Sequence, residues 1–188
     1  MRLMMSGPLG SGAAAQQERV AEHWRIPAID LGVAVRAEID ADTALGRRAI
    51  ELFDRGAELG DALPVDMLLS HLDRVAAEQG FLLAGLPSSV PQAELLTRRL
   101  MMRGTPLRAV VLLDEPAEQT MARVAARAGF DASAADGFRE RFALYESTQR
   151  PVLEFYRDHA RQGGIPCYTV PVTGDADEVF ARIVDALE

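Results

Sequence analysis

The sequence predicts an α/β protein built on a parallel sheet with helices on both of its faces. Three observations carry this reading. Strand-like and helix-like segments alternate about five times along 188 residues, which is the order of βαβ units. The strand candidates are short apolar runs such as GFLLA and LRAVVLL, and the first and third of them stop at glycine. Apolar residues make up 48% and charged residues 26% of the chain, an ordinary globular composition, at a length that favours one domain and buries about 70% of the extended surface.

The elements follow in order. Met1–Ser6 is a buried strand, stopped by the glycine-rich stretch Gly7–Gly12. Ala13–Arg25 is a helix and Pro27–Asp30 a short strand. Helices are expected over Leu31–Asp40, Thr43–Arg55 and Asp61–Gln79. Gly80–Ala84 is a strand ended by Gly85-Leu-Pro, and Pro91–Met102 a helix. Leu107–Leu113 is a strand running into Asp114. Pro116–Ala128 is a helix with proline at its start, where a missing N–H breaks no helical bond. Gly137–Gln162 is a long helix carrying Tyr145 and Tyr156, Ile165–Val170 a last strand, and Asp175–Leu187 a closing helix. Ligands of such sheets bind beyond the carboxyl ends of the strands. That rule singles out Gly7–Gly12, Asp30–Gly32, Gly85–Ser89 and the segment after Asp114.

Composition removes several classes of function. One cysteine excludes a disulfide framework and a cysteine-based zinc site. The opening MRLMMSGPLG lacks the pattern of a signal peptide, and no apolar run reaches the roughly 18 residues of a membrane span. A net charge of −8 argues against a nucleic-acid partner. A cytoplasmic protein with neither nucleic acid nor membrane as partner is the expectation. All 20 basic residues are arginine, so no mechanism here can use a lysine.

Gly7-Pro-Leu-Gly-Ser-Gly lies between the first strand and the first helix. Glycines there let backbone N–H groups close around an anion at a helix N-terminus. A working phosphate loop continues Gly-Lys-[Ser/Thr], whose lysine reaches the phosphates and whose hydroxyl holds Mg²⁺. This chain continues Ala13-Ala14-Ala15-Gln16.

The neighbouring segments give the loop its context. GPLGSGAAAQ (Gly7–Gln16), RIPAIDLGVAVR (Arg25–Arg36), GFLLAGLPSS (Gly80–Ser89) followed by Gln92, and Arg141-Phe-Ala-Leu-Tyr145 with Thr148, Pro151 and Tyr156 run through the chain. In these the sequence resembles the adenylate kinase family of nucleoside monophosphate kinases, in its short-lid form. The resemblance spans essentially the whole chain. It implies a three-layer P-loop kinase-like fold with a five-stranded parallel sheet and a single domain over 1–188. Within that domain it implies an acceptor-binding subdomain over 30–60 and a short lid over 129–137.

The family's chemical positions are where this chain departs. The loop lysine, the following glycine and the Mg²⁺ hydroxyl are Ala13, Ala14 and Ala15. The strand-end aspartate is Ala84, the acceptor arginine Ser88, and the threonine and aspartate of the family's STGD are Leu31 and Val33. The lid arginine is Phe130. Arg36 stays where the family grips the acceptor phosphate, and Gln92 where it reads the adenine. Arg123, Arg127 and Arg141 stay where it clamps the donor base or the transferred phosphoryl. Losing one stabilising donor costs roughly 10²–10³ in rate, so two acting independently cost roughly 10⁵.

Three readings follow. In the first, the protein is repurposed to bind, and to transform or not, a phosphorylated or carboxylated small molecule in the retained arginine cleft. Arg36, Gln92, Arg123, Arg127, Arg141 and the loop glycines Gly10, Gly12 and Gly85 would hold it. Asp30 and Asp114 are the candidate acid–base groups, with His23 a third, although Asp30 equally fits a helix cap. Leu31, Phe53 and Leu86 would line an acceptor pocket less polar than a nucleotide's. In the second, the chain is a non-catalytic regulatory or scaffolding pseudo-kinase with a protein partner, its arginines paired with acids such as Asp114 and Asp131. In the third, nucleoside monophosphate kinase activity persists. No metal site is expected, since His71 stands among scattered carboxylates. No cofactor is indicated, and Mg-ATP is not expected. His159 reads as solvated and Cys167 as a small buried hydrophobe.

Overall fold

The computed structural model describes residues 1–75, 79–85, 87–126 and 132–188. Five strands, β1 (Arg2–Ser6), β2 (Ala28–Ile29), β3 (Phe81–Ala84), β4 (Ala109–Asp114) and β5 (Cys167–Pro171), pair in the order β2-β3-β1-β4-β5. Every pairing is parallel. The helices are α1 (Ala13–Trp24), α2 (Leu31–Asp40), α3 (Ala44–Asp54), α4 (Ala62–Arg74), α5 (Val90–Met102), α6 (Ala117–Ala125), α7 (Ala132–Arg161) and α8 (Ala176–Leu187). The expected α/β class and five-stranded parallel sheet are therefore present.

Alternation along the strands makes the three layers. Met4, Leu83, Val110 and Leu112 point to one face and pack with Leu68 of α4, Leu96 of α5 and Tyr156 of α7. Their neighbours Leu3, Met5, Leu82 and Val111 point to the other and meet Val20 of α1 and Ile183 of α8. Period-two side chains buried on both faces are the signature of a covered parallel sheet. A smaller cluster of Ala49, Leu63 and Met67, with Val35, Ile39 and Leu52 against it, joins α2, α3 and α4.

Local signals set the helix starts. Asp30, Thr43 and Ser89 each accept a backbone N–H three residues on, capping α2, α3 and α5. Asp175 and Glu178 form a reciprocal capping box on α8. Helix α7 begins five residues before the expected Gly137 and carries Pro151 inside it. Helix α6 ends at Ala125 rather than Ala128, and α4 at Arg74 rather than Gln79.

Among the described residues, two glycines are required by the close approach of another stretch of backbone. A Cβ at Gly46 would stand 2.2 Å from the Glu38 carbonyl oxygen, where α3 crosses α2. At Gly80, with φ of 131°, it would stand 1.7 Å from the Met1 carbonyl oxygen. Beside the first of these, Glu38 is fully buried. It pairs with Arg74 of α4 at 2.6 Å and accepts the Thr43 hydroxyl at 2.5 Å. Burial alone would raise its pKa, but hydrogen bonds from Thr43, Ser70 and Arg74 outweigh it and hold the carboxyl below its ordinary value.

Candidate functional site

The strand order places the candidate site. The connection leaving β1 runs toward β2 and the one leaving its neighbour β4 runs the other way to β5, so the sheet has a switch point between β1 and β4, and its crevice opens at the carboxyl edge. The register Met5↔Ala84, Ile29↔Leu83 and Ser6↔Leu112 sets Ser6 level with Gly85 and Leu112 and Asp30 level with Ala84, with Glu115 three residues beyond Leu112. Two rims can be followed along this edge.

On the β1–β4 rim, Gly10 and Gly12 adopt φ of 89° and 81°, and Gly12 is the N-cap of α1. A Cβ on Gly10 would meet Val124 Cγ2 at 2.8 Å and Thr120 Cγ2 at 3.1 Å, so the loop lies directly against α6. The first turn of α1 is Ala13-Ala14-Ala15, which offers backbone N–H groups and no side-chain donor. Gln16 and Gln17 turn to the protein, donating to the carbonyls of Ala176 and Met5 at 2.8 Å each.

Arg123 does not face this rim free. Its guanidinium is paired with the Glu115 carboxylate, which also accepts the Thr120 hydroxyl at 2.5 Å. The Glu115 side chain is only 6% exposed. Asp114, the residue before it, is exposed, and its backbone carbonyl accepts the Val172 N–H at 3.1 Å. Tyr145 of α7 reaches the end of β1. Burial raises its phenol pKa, while a hydrogen bond with Ser6 pulls it back. Arg141 is exposed and extends back along α7 toward Gly137.

The β2–β3 rim is built differently. Arg36, on α2, is exposed and makes no ion pair among the described residues. It lines an open cleft of about 760 Å³ with Leu31, Val35 and Phe53. Glu58, Asp61, Ser88, Ser89 and Gln92 line the same cleft. Asp61 accepts the Ser89 hydroxyl at 2.6 Å, and Gln92 Oε1 accepts the Ser88 backbone N–H at 3.0 Å. That backbone donor fixes which way the Gln92 amide points. Gly85, with φ of 102°, turns the chain out of β3, and its N–H donates to the Met5 carbonyl at 2.8 Å. Beside it lies a second, small cavity of about 40 Å³ with apolar walls, sharing Leu31 and Gln92 with the cleft.

Set against the sequence reading, the geometry sorts the candidates. Arg36, Gln92, Leu31 and Phe53 come together on one cleft. Asp30 serves as the cap of α2, its Oδ1 accepting the Val33 N–H at 2.7 Å, which is the second of its two anticipated roles. Gly10 and Gly12 form the expected loop, but Gly10 serves contact with α6. The arginines are not a buried cluster: Arg36 and Arg141 are exposed, and Arg123 is taken by Glu115 rather than by Asp114. His23 sits at the far end of α1, about 15 Å from the loop at 1.5 Å per residue, with its ring against Trp24 and Phe180. Arg127, Asp131, Leu86, Phe130 and residues 129–131 of the expected lid lie outside the described residues, and 132–137 are the first turns of α7. Cys167 is half-buried, and burial pushes its thiol pKa up. No group of three or more potential metal ligands occurs among the described residues.

Glu115, Glu58, Asp61 and the Ser88–Gln92 bond escaped the sequence reading. Only Glu115 left a trace there, as an acid directly before the proline that opens α6.

Comparison with known proteins agrees with this architecture. The family model of adenylate kinase matches residues 5–161. The chain is 37% identical over 190 residues to an adenylate kinase of Xylella fastidiosa (strain 9a5c), covering 100% of this chain and 99% of the relative. It is 37% identical over 194 residues to an adenylate kinase of Stenotrophomonas maltophilia (strain K279a), covering 100% of both. An adenylate kinase of Xanthomonas campestris pv. campestris (strain 8004) is 36% identical over 190 residues, with 100% and 99% coverage.

Proposed function

The chain belongs to the adenylate kinase family, and from that premise we propose that it has lost Mg-ATP phosphoryl transfer and binds a phosphorylated or carboxylated small molecule in the cleft around Arg36. The observation that carries the reading is the contrast in available charge. Arg36 faces a cleft without an ion-pair partner among the described residues, whereas the β1–α1 loop has alanine at all three positions after Gly12.

Phosphoryl transfer is nearly all positioning and stabilisation of charge on the equatorial oxygens. A chain without lysine, with Ala15 where a hydroxyl would meet Mg²⁺ and Ala84 at the end of β3, lacks the groups for that step. Binding needs less. Arginine recognises phosphate or carboxylate through a planar fork of donors. The Gln92 amide, held by Ser88, adds a directional donor to the same cleft. With Asp30 capping α2 and Asp61 accepting the Ser89 hydroxyl, Glu58 is the one carboxylate of the cleft without a hydrogen-bond partner among the described residues, and a single carboxylate does not make an acid–base pair. We therefore assign binding, and no reaction.

A thermal-shift panel tests this. AMP, ADP, ATP, inorganic phosphate and small carboxylates are each added with and without Mg²⁺. A ligand at 100 times its Kd adds about 2.7 kcal/mol. Stabilisation by monophosphates or carboxylates, indifferent to Mg²⁺ and lost in Arg36→Ala, is expected. Stabilisation by ATP only with Mg²⁺ would overturn the reading. No shift from any anion would move the weight to a protein partner.

A further inference from the structure

Resting on the reading that the Arg36 cleft holds an anion, we infer that its ligand is an amphiphile: one phosphate or carboxylate head, with a small apolar group seated in the cavity behind Leu31 and Gln92. Four features of the site converge on this class.

The cavity is lined by Met4, Val65, Leu68, Leu83, Ala84 and Leu96, and among the described residues Gln92 is its one polar side chain. An ordered water needs two to four polar partners, so a cavity with such walls favours an apolar group over solvent. At roughly 10–15 Å³ per water-sized centre, about 40 Å³ gives room for about three heavy atoms. Leu31 and Gln92 line both spaces, so the cavity adjoins the cleft at these two side chains.

Gln92 stands at that junction as a donor. Its carbonyl accepts the Ser88 N–H at 3.0 Å, which leaves the amide N–H groups for the ligand. They suit an ester or carbonyl oxygen between head and tail.

The charges set the number of heads. Among the described residues, Arg36 is the one cationic side chain lining the cleft, and Glu58 and Asp61 are its two carboxylates. A second anionic group would meet these carboxylates rather than another arginine. A polyphosphate is disfavoured and a single anionic head is not.

The replaced positions give the cavity its character. Leu31, the first residue of α2, and Ala84, the last of β3, stand where a hydroxyl and a carboxylate would have kept the floor polar, and here both are apolar.

Calorimetric titration of the intact wild-type chain decides the matter, using inorganic phosphate, methyl, propyl and hexyl phosphate, and pyrophosphate. Each methylene moved from water into an apolar site gives about a fourfold gain, from ~0.8 kcal/mol per CH₂. Affinity should rise about tenfold or more from methyl to propyl phosphate and level off toward hexyl phosphate once the cavity is full. Pyrophosphate should bind more weakly than propyl phosphate. Ala84→Leu, which fills the cavity, should erase the chain-length gain and leave inorganic phosphate binding as it was. Equal affinity for methyl and propyl phosphate, or pyrophosphate as the strongest ligand, would overturn the inference while leaving the anion site intact. Failure of every phosphate to bind in an Arg36-dependent way would sink both. The wild-type series stands on its own should Ala84→Leu fail to fold.

Discussion

Arg123 and Arg36 occupy the two rims of one sheet edge, and their surroundings differ in kind. Arg123 lies beside Glu115, a carboxylate only 6% exposed that also takes the Thr120 hydroxyl. Arg36 lies beside a cleft and has no ion pair among the described residues. On the β1–β4 rim, Arg123 is answered from within by Glu115. The β2–β3 rim has left Arg36 available. A guanidinium is worth most to a ligand when no protein carboxylate competes for it. The same residue type therefore predicts opposite behaviour at the two rims, and only the partner tells them apart.

The largest expected effect concerns catalysis. Mixing the protein with ATP, AMP and Mg²⁺ should give ADP at less than roughly 10⁻⁵ of the rate of a family member with its full set of charges. Ala13→Lys should not change that, because the Mg²⁺ hydroxyl and the strand-end carboxylate are still missing. Robust turnover by that single variant in a coupled ADP assay would erase the contrast between the rims.

Next comes the packing that holds the β2–β3 rim in place. Gly46→Ala drives a Cβ to 2.2 Å from the Glu38 carbonyl oxygen, against backbone that cannot yield without parting α2 from α3. A loss of about 3 kcal/mol is expected from overpacking of this kind. Urea unfolding would read it directly. Gly137→Ala, also inside a helix and with nothing nearer its Cβ position than the Arg141 guanidinium at 3.8 Å, is the control for the glycine-to-alanine change itself. Equal losses in the two would mean that the helix crossing is not tight.

Tyr156 supplies an alkaline limit on the same half of the core. It is fully buried between α5, α7 and the sheet, and burial pushes its phenol up to about 12, with Thr97 drawing it slightly down. A pKa raised in the folded state keeps its stabilising effect below the unfolded value of 10 and loses it as pH climbs from 10 toward 12. Two pH units correspond to about 3 kcal/mol at most. Tyr156→Phe should flatten the decline in a melting-temperature series from pH 9 to 12. An unchanged slope would show that another group controls it.

Smaller, and more telling for the comparison, is Glu115→Gln. Removing that charge should release Arg123 and raise pyrophosphate affinity about tenfold, the lower range for one charge-assisted contact. Affinity for inorganic phosphate at the Arg36 cleft should stay as in wild type. No gain would mean that the pairing with Glu115 is not what silences this rim.

The acid side carries the smallest effect. Glu38 has its pKa depressed by Thr43, Ser70 and Arg74 against the opposing pull of burial. A depressed carboxylate contributes stability above its unfolded value of 4.5 and loses it as pH falls through the folded value. The loss should therefore begin below about pH 4.5. Glu38→Gln should remove that limb from an acid titration followed by circular dichroism.

Local rules made much of this legible before any coordinates. Asp30 precedes a helix by one residue, and a cap is a contact three residues long, so its role was readable as one of two options. Arg36 and Gln92 stand in a motif frame that fixes their place relative to the strand ends. The Glu115–Arg123 pair was not legible, because eight residues separate the partners and the proline turn into α6 decides whether they meet. The small cavity was not legible either. Its walls come from β1, β2, β3, α2, α4 and α5, and an unfilled space is a property of how those elements pack.

Composition and pattern alone established the α/β class, the glycine loop, the single cysteine and the absence of lysine, because each follows from which residues are present and at what period. Folding settled that Arg123 is paired and, among the described residues, Arg36 is not. A charge is available only when no opposite charge lies within about 4 Å of it, and distances of that kind between Arg123 and Glu115, or their absence around Arg36, exist only once the helices have docked on the sheet.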